Sequence, residues 1–135
     1  MIESNNQLNT KISYSFEIKI SAKYMTRFLV LKLSGEFDFH EYMSLSKVIL
    51  DKCNEELVFN VLVDSLELDY SKLTVMNRFY LGEKFADVLR LKVNLVIVLS
   101  DIYITRFSET VAVNRGLKTK IFSDIESAKE WFKDK

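Results

Sequence analysis

The chain has one cysteine, no proline and only three glycines among its 135 residues. A lone cysteine, Cys53, excludes an internal disulfide and a multi-cysteine zinc site, and it fits a reducing compartment, so we expect a cytoplasmic protein. Gly35, Gly82 and Gly116 are too scattered for either glycine-rich loop that commonly cradles nucleotide phosphates. The sequence therefore predicts no disulfide and no bound cofactor.

The chain also lacks an excess of either charge. Its 19 Lys and Arg residues balance 19 Asp and Glu residues, so no global field attracts nucleic acid or an acidic membrane. The longest apolar stretches, such as 93–99, fall far short of the ~20 residues that a membrane helix needs. The polar N-terminus does not resemble a signal peptide. We expect no nucleic-acid partner, no membrane span and no export.

What the sequence does have is a large apolar fraction, 48%, with 13% aromatic residues. A chain of this length and composition can fill one hydrophobic core. Residues 1–11 are polar and show no periodicity, which predicts a flexible N-terminal tail. The folded domain is therefore expected over residues 12–135.

The first half of this domain opens with a predicted β-hairpin. Alternating apolar and polar residues over 13–20 indicate a strand with one solvated face, and 28–33 is a second β-rich run. After Gly35 the apolar period becomes helical, and Asp38 with Glu41 resembles a capping box. An apolar run over 57–63 then predicts an interior strand that ends at Asp64.

The second half alternates helices and strands. Thr74 can cap a helix to about Arg90 with Met76 and Phe79 on its apolar face, 93–99 is a strand, and Gly116 closes a helix over 105–115. A strand over 118–122 precedes a helix whose capping box is Ser123 with Glu126. The order β-β-α-β-α-β-α-β-α predicts a single-domain α/β fold. Its mixed sheet has about five strands, mostly parallel with an antiparallel N-terminal strand, and helices pack on it.

Two segments carry a resemblance to a known family. Residues 109–118 read ETVAVNRGLK, and 121–128 read IFSDIESA before Trp131 and Phe132. Together they resemble the ending of small bacterial STAS, or SpoIIAA-like, proteins, which include the anti-sigma-factor antagonists. Leu62-Val63-Asp64 falls where that family has a strand end. The resemblance spans about residues 14–132 and implies a SpoIIAA-like fold. It also implies a non-enzymatic regulatory or scaffolding module that binds a protein partner in signalling.

The resemblance further implies a candidate phosphosite. In the anti-sigma-factor antagonists, a regulatory serine lies in an Asp-Ser-Ser-Gly motif at the start of the second helix. The matching residues 70–75 read YSKLTV, so Ser71 and Thr74 keep the hydroxyls but the Asp and Gly are absent. Ser71 and Thr74 are thus the candidate phosphosite or partner surface. Thr74 has an equally good explanation as an ordinary helix N-cap.

Polar residues following the two interior strands suggest a second site. Ligands of open α/β sheets gather at the carboxyl ends of strands. Asp64, Ser65, Ser100 and Asp101 are therefore a candidate pocket edge for a cation or polar ligand, although Asp and Ser are also ordinary turn formers. His40 allows a Ser-His-Asp arrangement, but no nucleophile elbow accompanies it, and we predict no enzyme and no metal site.

These observations leave three functions open. The first is the protein-binding module, and the alternative is a small apolar ligand or lipid carrier with a cavity between the sheet and its helices. The third is an enzyme that uses His40 with Asp64 or Ser100. An open strand edge at the hairpin would also let two copies pair as a homodimer. Cys53 and Trp131 are predicted to be core residues.

Overall fold

The computed structural model describes residues 2–4, 10–21, 25–105 and 107–132. A 3-10 turn over Asp101–Tyr103 accompanies six strands and four helices in the described residues. The strands are β1 (Ile2–Ser4), β2 (Ile12–Ile20), β3 (Arg27–Glu36), β4 (Asn60–Asp69), β5 (Asn94–Val98) and β6 (Lys118–Phe122). The helices are α1 (Phe39–Glu56), α2 (Val75–Leu89), α3 (Phe107–Asn114) and α4 (Ile125–Glu130).

The strands form one sheet in chain order, β1-β2-β3-β4-β5-β6. β2 runs antiparallel to both β1 and β3, and β3 to β6 are parallel to one another. Each parallel pair is joined through a helix, because a parallel strand must return across the face of the sheet. The predicted α/β architecture, mostly parallel with an antiparallel start, is confirmed.

The short edge strand β1 was not predicted. Ile2–Ser4 pairs antiparallel with β2, and Ile2 lies opposite Glu17. These three residues fall inside the segment predicted as a flexible tail, where the sequence indicated no strand. Three residues are too few to show a period-two pattern, whereas the unpaired N–H and C=O groups along β2 offer any extended segment a partner. Residues 1 and 5–9 of that segment lie outside the described residues.

The strand β4 differs most from its prediction. It begins at Asn60 instead of residue 57 and continues to Asp69, so Asp64 and Ser65 lie inside the strand and not beyond its end. The reason is that β3 pairs with β4 as far as Glu36 opposite Asp69, after a register shift between Lys32 and Ser34. Pairing with β3 thus extends β4 beyond the apolar run from which the strand was predicted.

Helix ends follow the predicted chemistry with local corrections. Asp38 caps α1 by accepting from the Glu41 N–H at 3.0 Å, but the Glu41 carboxylate does not complete the predicted box. It accepts instead from the backbone N–H groups of Lys11 and Ile12, at 3.0 Å each, and so ties β2 to α1. The cap of α4 is Asp124, not Ser123. α3 is also shorter than predicted and ends before Arg115.

Two apolar clusters hold the helices on the sheet. The larger lies between one sheet face and the helices α1, α2 and α3, and it includes Ile49 and Cys53, both 0% exposed. The smaller joins the opposite face to α4 through Phe28 and Phe132, whose rings stack at 5.6 Å between centroids. Cys53 is confirmed as a core residue, while Trp131 is half-buried against the smaller cluster. No helix in the described residues is long and apolar enough to cross a membrane.

Candidate functional site

The predicted pocket edge begins with two residues that have structural roles in β4. Ser65 is buried, and its hydroxyl donates to the carbonyl oxygen of Val98 at 2.8 Å. It thereby fastens β4 to the last residue of β5. The half-buried Asp64 accepts from the backbone N–H of Leu66 at 3.3 Å. Both side chains therefore use their polar groups within the sheet.

The other two residues of that edge follow β5. Ser100 and Asp101 open the 3-10 turn, where their carbonyl oxygens accept from the N–H groups of Tyr103 and Ile104. Among the described residues, no group of three His, Cys, Asp or Glu side chains is arranged to hold a metal ion. Polar-ligand binding at these residues stays a prediction.

One cavity of the domain lies elsewhere, between the sheet and the helices α2 and α3. Its volume is about 60 Å³, and none of the four predicted edge residues lines it. This is enough for a few water molecules, but it is smaller than the ~150 Å³ cavity that accommodates benzene. The lining is mainly apolar, and its polar members are Tyr42, Tyr70, Arg78, Ser108, Glu109 and Thr119.

Two buried tyrosines form the polar wall of this cavity. The hydroxyl oxygens of Tyr42 and Tyr70 lie 3.0 Å apart. Burial raises the pKa of Tyr42, although the hydrogen bond to Tyr70 opposes the rise. Burial also raises the pKa of Tyr70 well above 10.0, and the neighbouring Tyr42 adds to the effect. Both hydroxyls therefore stay protonated at neutral pH and act as hydrogen-bonding groups.

Arg78 brings a positive charge to the same wall. Its side chain is half-buried, and its guanidinium forms no ion pair with a described residue. Burial lowers the pKa of Arg78, while the nearby Tyr70 opposes the shift. An arginine remains protonated even so, because its ordinary pKa lies far above neutrality.

The candidate phosphosite lies at the start of α2. Thr74 caps this helix with a complete capping box: Thr74 Oγ1 accepts from the Asn77 N–H at 3.0 Å, and Asn77 Oδ1 accepts from the Thr74 N–H at 3.2 Å. Ser71 precedes it in a turn where its N–H donates to Asp69 at 2.8 Å. Both Ser71 and Thr74 are exposed. The predicted cap is confirmed, and phosphorylation stays a prediction.

The capping role makes a testable difference between the two hydroxyls. We expect Thr74→Ala to lower the free energy of unfolding by about 1 kcal/mol, because the Asn77 N–H at the helix start loses its partner. Ser71→Ala is the matched control and should change it by less than about 0.5 kcal/mol. Urea denaturation of both variants measures these changes, and equal changes would show that the cap at Thr74 adds nothing to stability.

An exposed apolar surface beside Thr74 escaped the sequence analysis. Val75, Met76 and Tyr80 are 69%, 56% and 42% exposed. The ring of Tyr80 lies 6.4 Å from that of Phe39 and 5.5 Å from that of Phe79, between centroids. We call these five residues the α2 patch. It extends from the start of α1 to the first turns of α2.

The α2 patch corrects one predicted helix face. Met76 was predicted to point inward, but it is exposed, and Phe79 is half-buried. The buried face consists of Leu81, Gly82, Phe85, Ala86 and Leu89. Leu81, Phe85 and Leu89 recur every four residues, a signal that would have identified the inner stripe and left Met76 outside it.

His40 offers no catalytic arrangement. It is exposed near the start of α1, where its ring lies 5.5 Å from that of Phe39, between centroids. It forms no hydrogen bond with Asp64, Ser65 or Ser100, and Ser65 is already bonded to Val98. The groups that a Ser-His-Asp mechanism needs are therefore not assembled.

Comparisons with known proteins bear on the fold. No family model and no curated protein matches the chain. The chain is similar to a solved structure of an uncharacterized protein of the DUF3478 family with a SpoIIAA-like fold, from Shewanella loihica. That likeness covers 93% of this chain and 98% of the other, with 17% identity and a TM-score of 0.49. The strand order and pairing establish the α/β fold of this chain.

Proposed function

We propose that this chain is a non-enzymatic regulatory or scaffolding module that binds a protein partner through the α2 patch. The observation that carries the proposal is the exposure of Val75, Met76 and Tyr80 side by side on one helix. Single exposed apolar residues are common, whereas a contiguous patch of them marks an interaction site. Tyr, Phe and Met are also enriched at the centres of protein interfaces.

The surroundings of the patch fit a protein interface. Lys72 forms an ion pair with Glu36 at 3.1 Å beside the patch, and the half-buried Arg78 lies on the same helix. Such an arrangement of apolar centre and polar rim excludes water from the contact while keeping the free surface soluble. We propose a partner whose surface is apolar where it meets Met76 and Tyr80.

Ser71 and Thr74 would allow this contact to be switched. A phosphate on either hydroxyl adds close to two negative charges next to the patch. That charge would have to be desolvated when an apolar partner surface covers it, so phosphorylation is expected to weaken docking. At Thr74 it would also replace the capping hydroxyl of α2.

A carrier of a small apolar ligand is the second candidate, and the cavity beneath α2 and α3 favours it. Its volume of about 60 Å³ does not admit a lipid chain. The close packing of α2 against α3 at Gly82 further limits the space in this cavity. An added β-carbon at Gly82 would lie 2.8 Å from the Ser108 carbonyl oxygen. We therefore place protein binding first.

Capture of the tagged chain from its own cells tests the proposal. We expect a stoichiometric protein partner with the native sequence, and at least a 30-fold loss of affinity for the purified partner with Met76→Glu plus Tyr80→Glu. Val113→Glu is the control, because Val113 is 48% exposed on α3. Intact-mass analysis of the captured chain reports phosphate in the same experiment.

Two outcomes would contradict protein binding by the α2 patch. One is recovery of the chain alone, or with a small molecule in its cavity, which would favour the carrier. The other is a partner whose affinity is unchanged by Met76→Glu plus Tyr80→Glu, since that contact must lie elsewhere. A second copy of this chain as the only partner would identify a homodimer.

A further inference from the structure

Three turns carry large apolar residues in a backbone conformation that favours glycine. Met25, Leu57 and Leu91 have φ values of 55°, 56° and 64°, and they are the non-glycine residues with positive φ among the described residues. Any residue with a β-carbon is strained there, and glycine or asparagine is the usual choice. The side chains are 74%, 73% and 96% exposed, so they contribute little to the core. Folding alone does not account for them.

All three turns lie at the same end of the sheet. Met25 precedes β3, Leu57 separates α1 from β4, and Leu91 separates α2 from β5. Because β3, β4 and β5 are parallel, their amino ends share one edge of the domain. Ile20, 57% exposed at the end of the antiparallel β2, and Phe59, 38% exposed before β4, lie at this edge too. We call these five residues the apolar tips.

Exposed cations surround the apolar tips. Arg27 begins β3, Arg90 and Lys92 flank Leu91, and Lys118 begins β6. All four are exposed, and none forms an ion pair with a described residue. The acidic residues at this end are Asp87, exposed in the last turn of α2, and two in the last turn of α1, where Glu55 pairs with Lys52 at 3.7 Å and Glu56 is half-buried. Positive charge therefore predominates around the apolar tips.

The opposite end of the sheet is acidic. Glu36 ends β3, Asp69 ends β4, Asp101 follows β5 and Asp124 follows β6, and all four are exposed. The balanced total charge thus hides a separation of charge along the strands. An anionic surface would attract the amino end and repel the carboxyl end, which defines a single orientation.

We propose that the amino end of the sheet docks on the surface of an anionic lipid bilayer. Leu57, Leu91 and Met25 would insert among the headgroups, and the surrounding cations would contact lipid phosphates. The apolar tips project from separate turns, a shape suited to a deformable lipid layer. The α2 patch, in contrast, is one surface over the first turns of α2 and the start of α1. Docking at the amino end leaves the α2 patch, which starts at the carboxyl end, open to a protein.

Vesicle co-sedimentation of the full chain tests this proposal. We expect binding to phosphatidylcholine vesicles that contain roughly 30% phosphatidylserine, and little binding to phosphatidylcholine alone, because anionic lipid supplies the attraction. Raising the salt to about 0.5 M should weaken binding at least 5-fold by screening the exposed cations.

Leu57→Asn plus Leu91→Asn separates membrane docking from a role in folding. Asparagine tolerates the left-handed conformation, so this variant should melt at the same temperature as the native chain or higher. Its binding to the anionic vesicles should fall at least 10-fold. Val75→Asn plus Met76→Asn, at the other end, is the control that should bind vesicles as the native chain does.

Three results with vesicles would overturn the proposal. They are no binding of the native chain to anionic vesicles, equal binding by Leu57→Asn plus Leu91→Asn, and an equal loss in the Val75 and Met76 control. The proposal would also be overturned if Leu57→Asn plus Leu91→Asn still bound vesicles but no longer captured a protein, since the amino end would then be a protein interface.

Discussion

Gly35→Ala is expected to lower the free energy of unfolding by about 3 kcal/mol, which corresponds to a fall of roughly 10 °C in Tm. Gly35 has φ +102°, where any side chain is strained at a cost of about 1–2 kcal/mol. An added β-carbon would also collide with the carbonyl oxygen of Lys11, a backbone atom that accepts from the Glu36 N–H at 3.1 Å. Displacing that backbone costs about 1–3 kcal/mol more.

Gly116→Ala is the matched control for this prediction. Gly116 has nearly the same backbone angle, φ +97°, but the nearest atom to an added β-carbon is Arg90 Cδ at 3.8 Å, an ordinary contact. Only the backbone strain remains, so we expect a loss of about 1 kcal/mol. Urea denaturation measures both variants. Equal losses would show that β2 moves away from Gly35 at no cost.

The free energy of unfolding is expected to fall steeply above about pH 10, because three groups that are buried in the folded chain ionise in the unfolded chain. Burial raises the pKa of the Cys53 thiol from 9.0 to about 12, and it raises the pKa values of Tyr42 and Tyr70 above 10.0. In the unfolded chain these groups ionise at their ordinary pKa values, whereas the folded chain keeps them protonated. Rising pH therefore favours the unfolded state, by about 1.4 kcal/mol per pH unit and group.

The three groups together predict a loss that approaches about 4 kcal/mol per pH unit above pH 10, until the pH reaches the pKa values of the folded state. Below about pH 8 they are protonated in both states and contribute no pH dependence. Urea denaturation across this range measures the slope. Tyrosine absorbance of the folded chain provides a second reading, in which Tyr42 and Tyr70 should ionise only as the chain unfolds.

Tyr42→Phe is the control for the alkaline transition. It removes one of the three groups, so the slope should fall by about a third. At neutral pH it should cost about 1 kcal/mol, since the buried Tyr70 hydroxyl loses the partner that lies 3.0 Å away. An unchanged slope would mean that Tyr42 ionises equally in both states and that its burial does not control the transition.

The two proposed surfaces lie at opposite ends of one sheet. The α2 patch starts at the carboxyl end, because α2 follows β4, while the apolar tips lie in the turns that lead into β3, β4 and β5. A chain bound to a bilayer through Leu57 and Leu91 would present Met76 and Tyr80 to the solvent. The partner and vesicle experiments use separate variants, so either proposal can fail without the other.

The sequence by itself determined the order of the main elements. Period-two and helical patterns identified every helix and every strand except β1, since these patterns depend only on neighbours a few residues away. The same local logic located the cap at Thr74 and the turn at Gly116, where one residue's side chain or backbone freedom decides the geometry.

Tertiary structure alone decided which groups meet. The Glu41 carboxylate reaches the backbone of residues 11 and 12, and β3 extends β4 beyond Asp64, because folding brings distant segments together. Met76 has an apolar side chain, but packing turned Leu81 and Phe85 inward instead. The net charge of zero predicted no attraction to acidic membranes, yet the fold gives one end of the parallel strands an excess of exposed cations and the other an excess of carboxylates. The net charge is a sum over the sequence and does not say where the charges lie, because their positions depend on the fold.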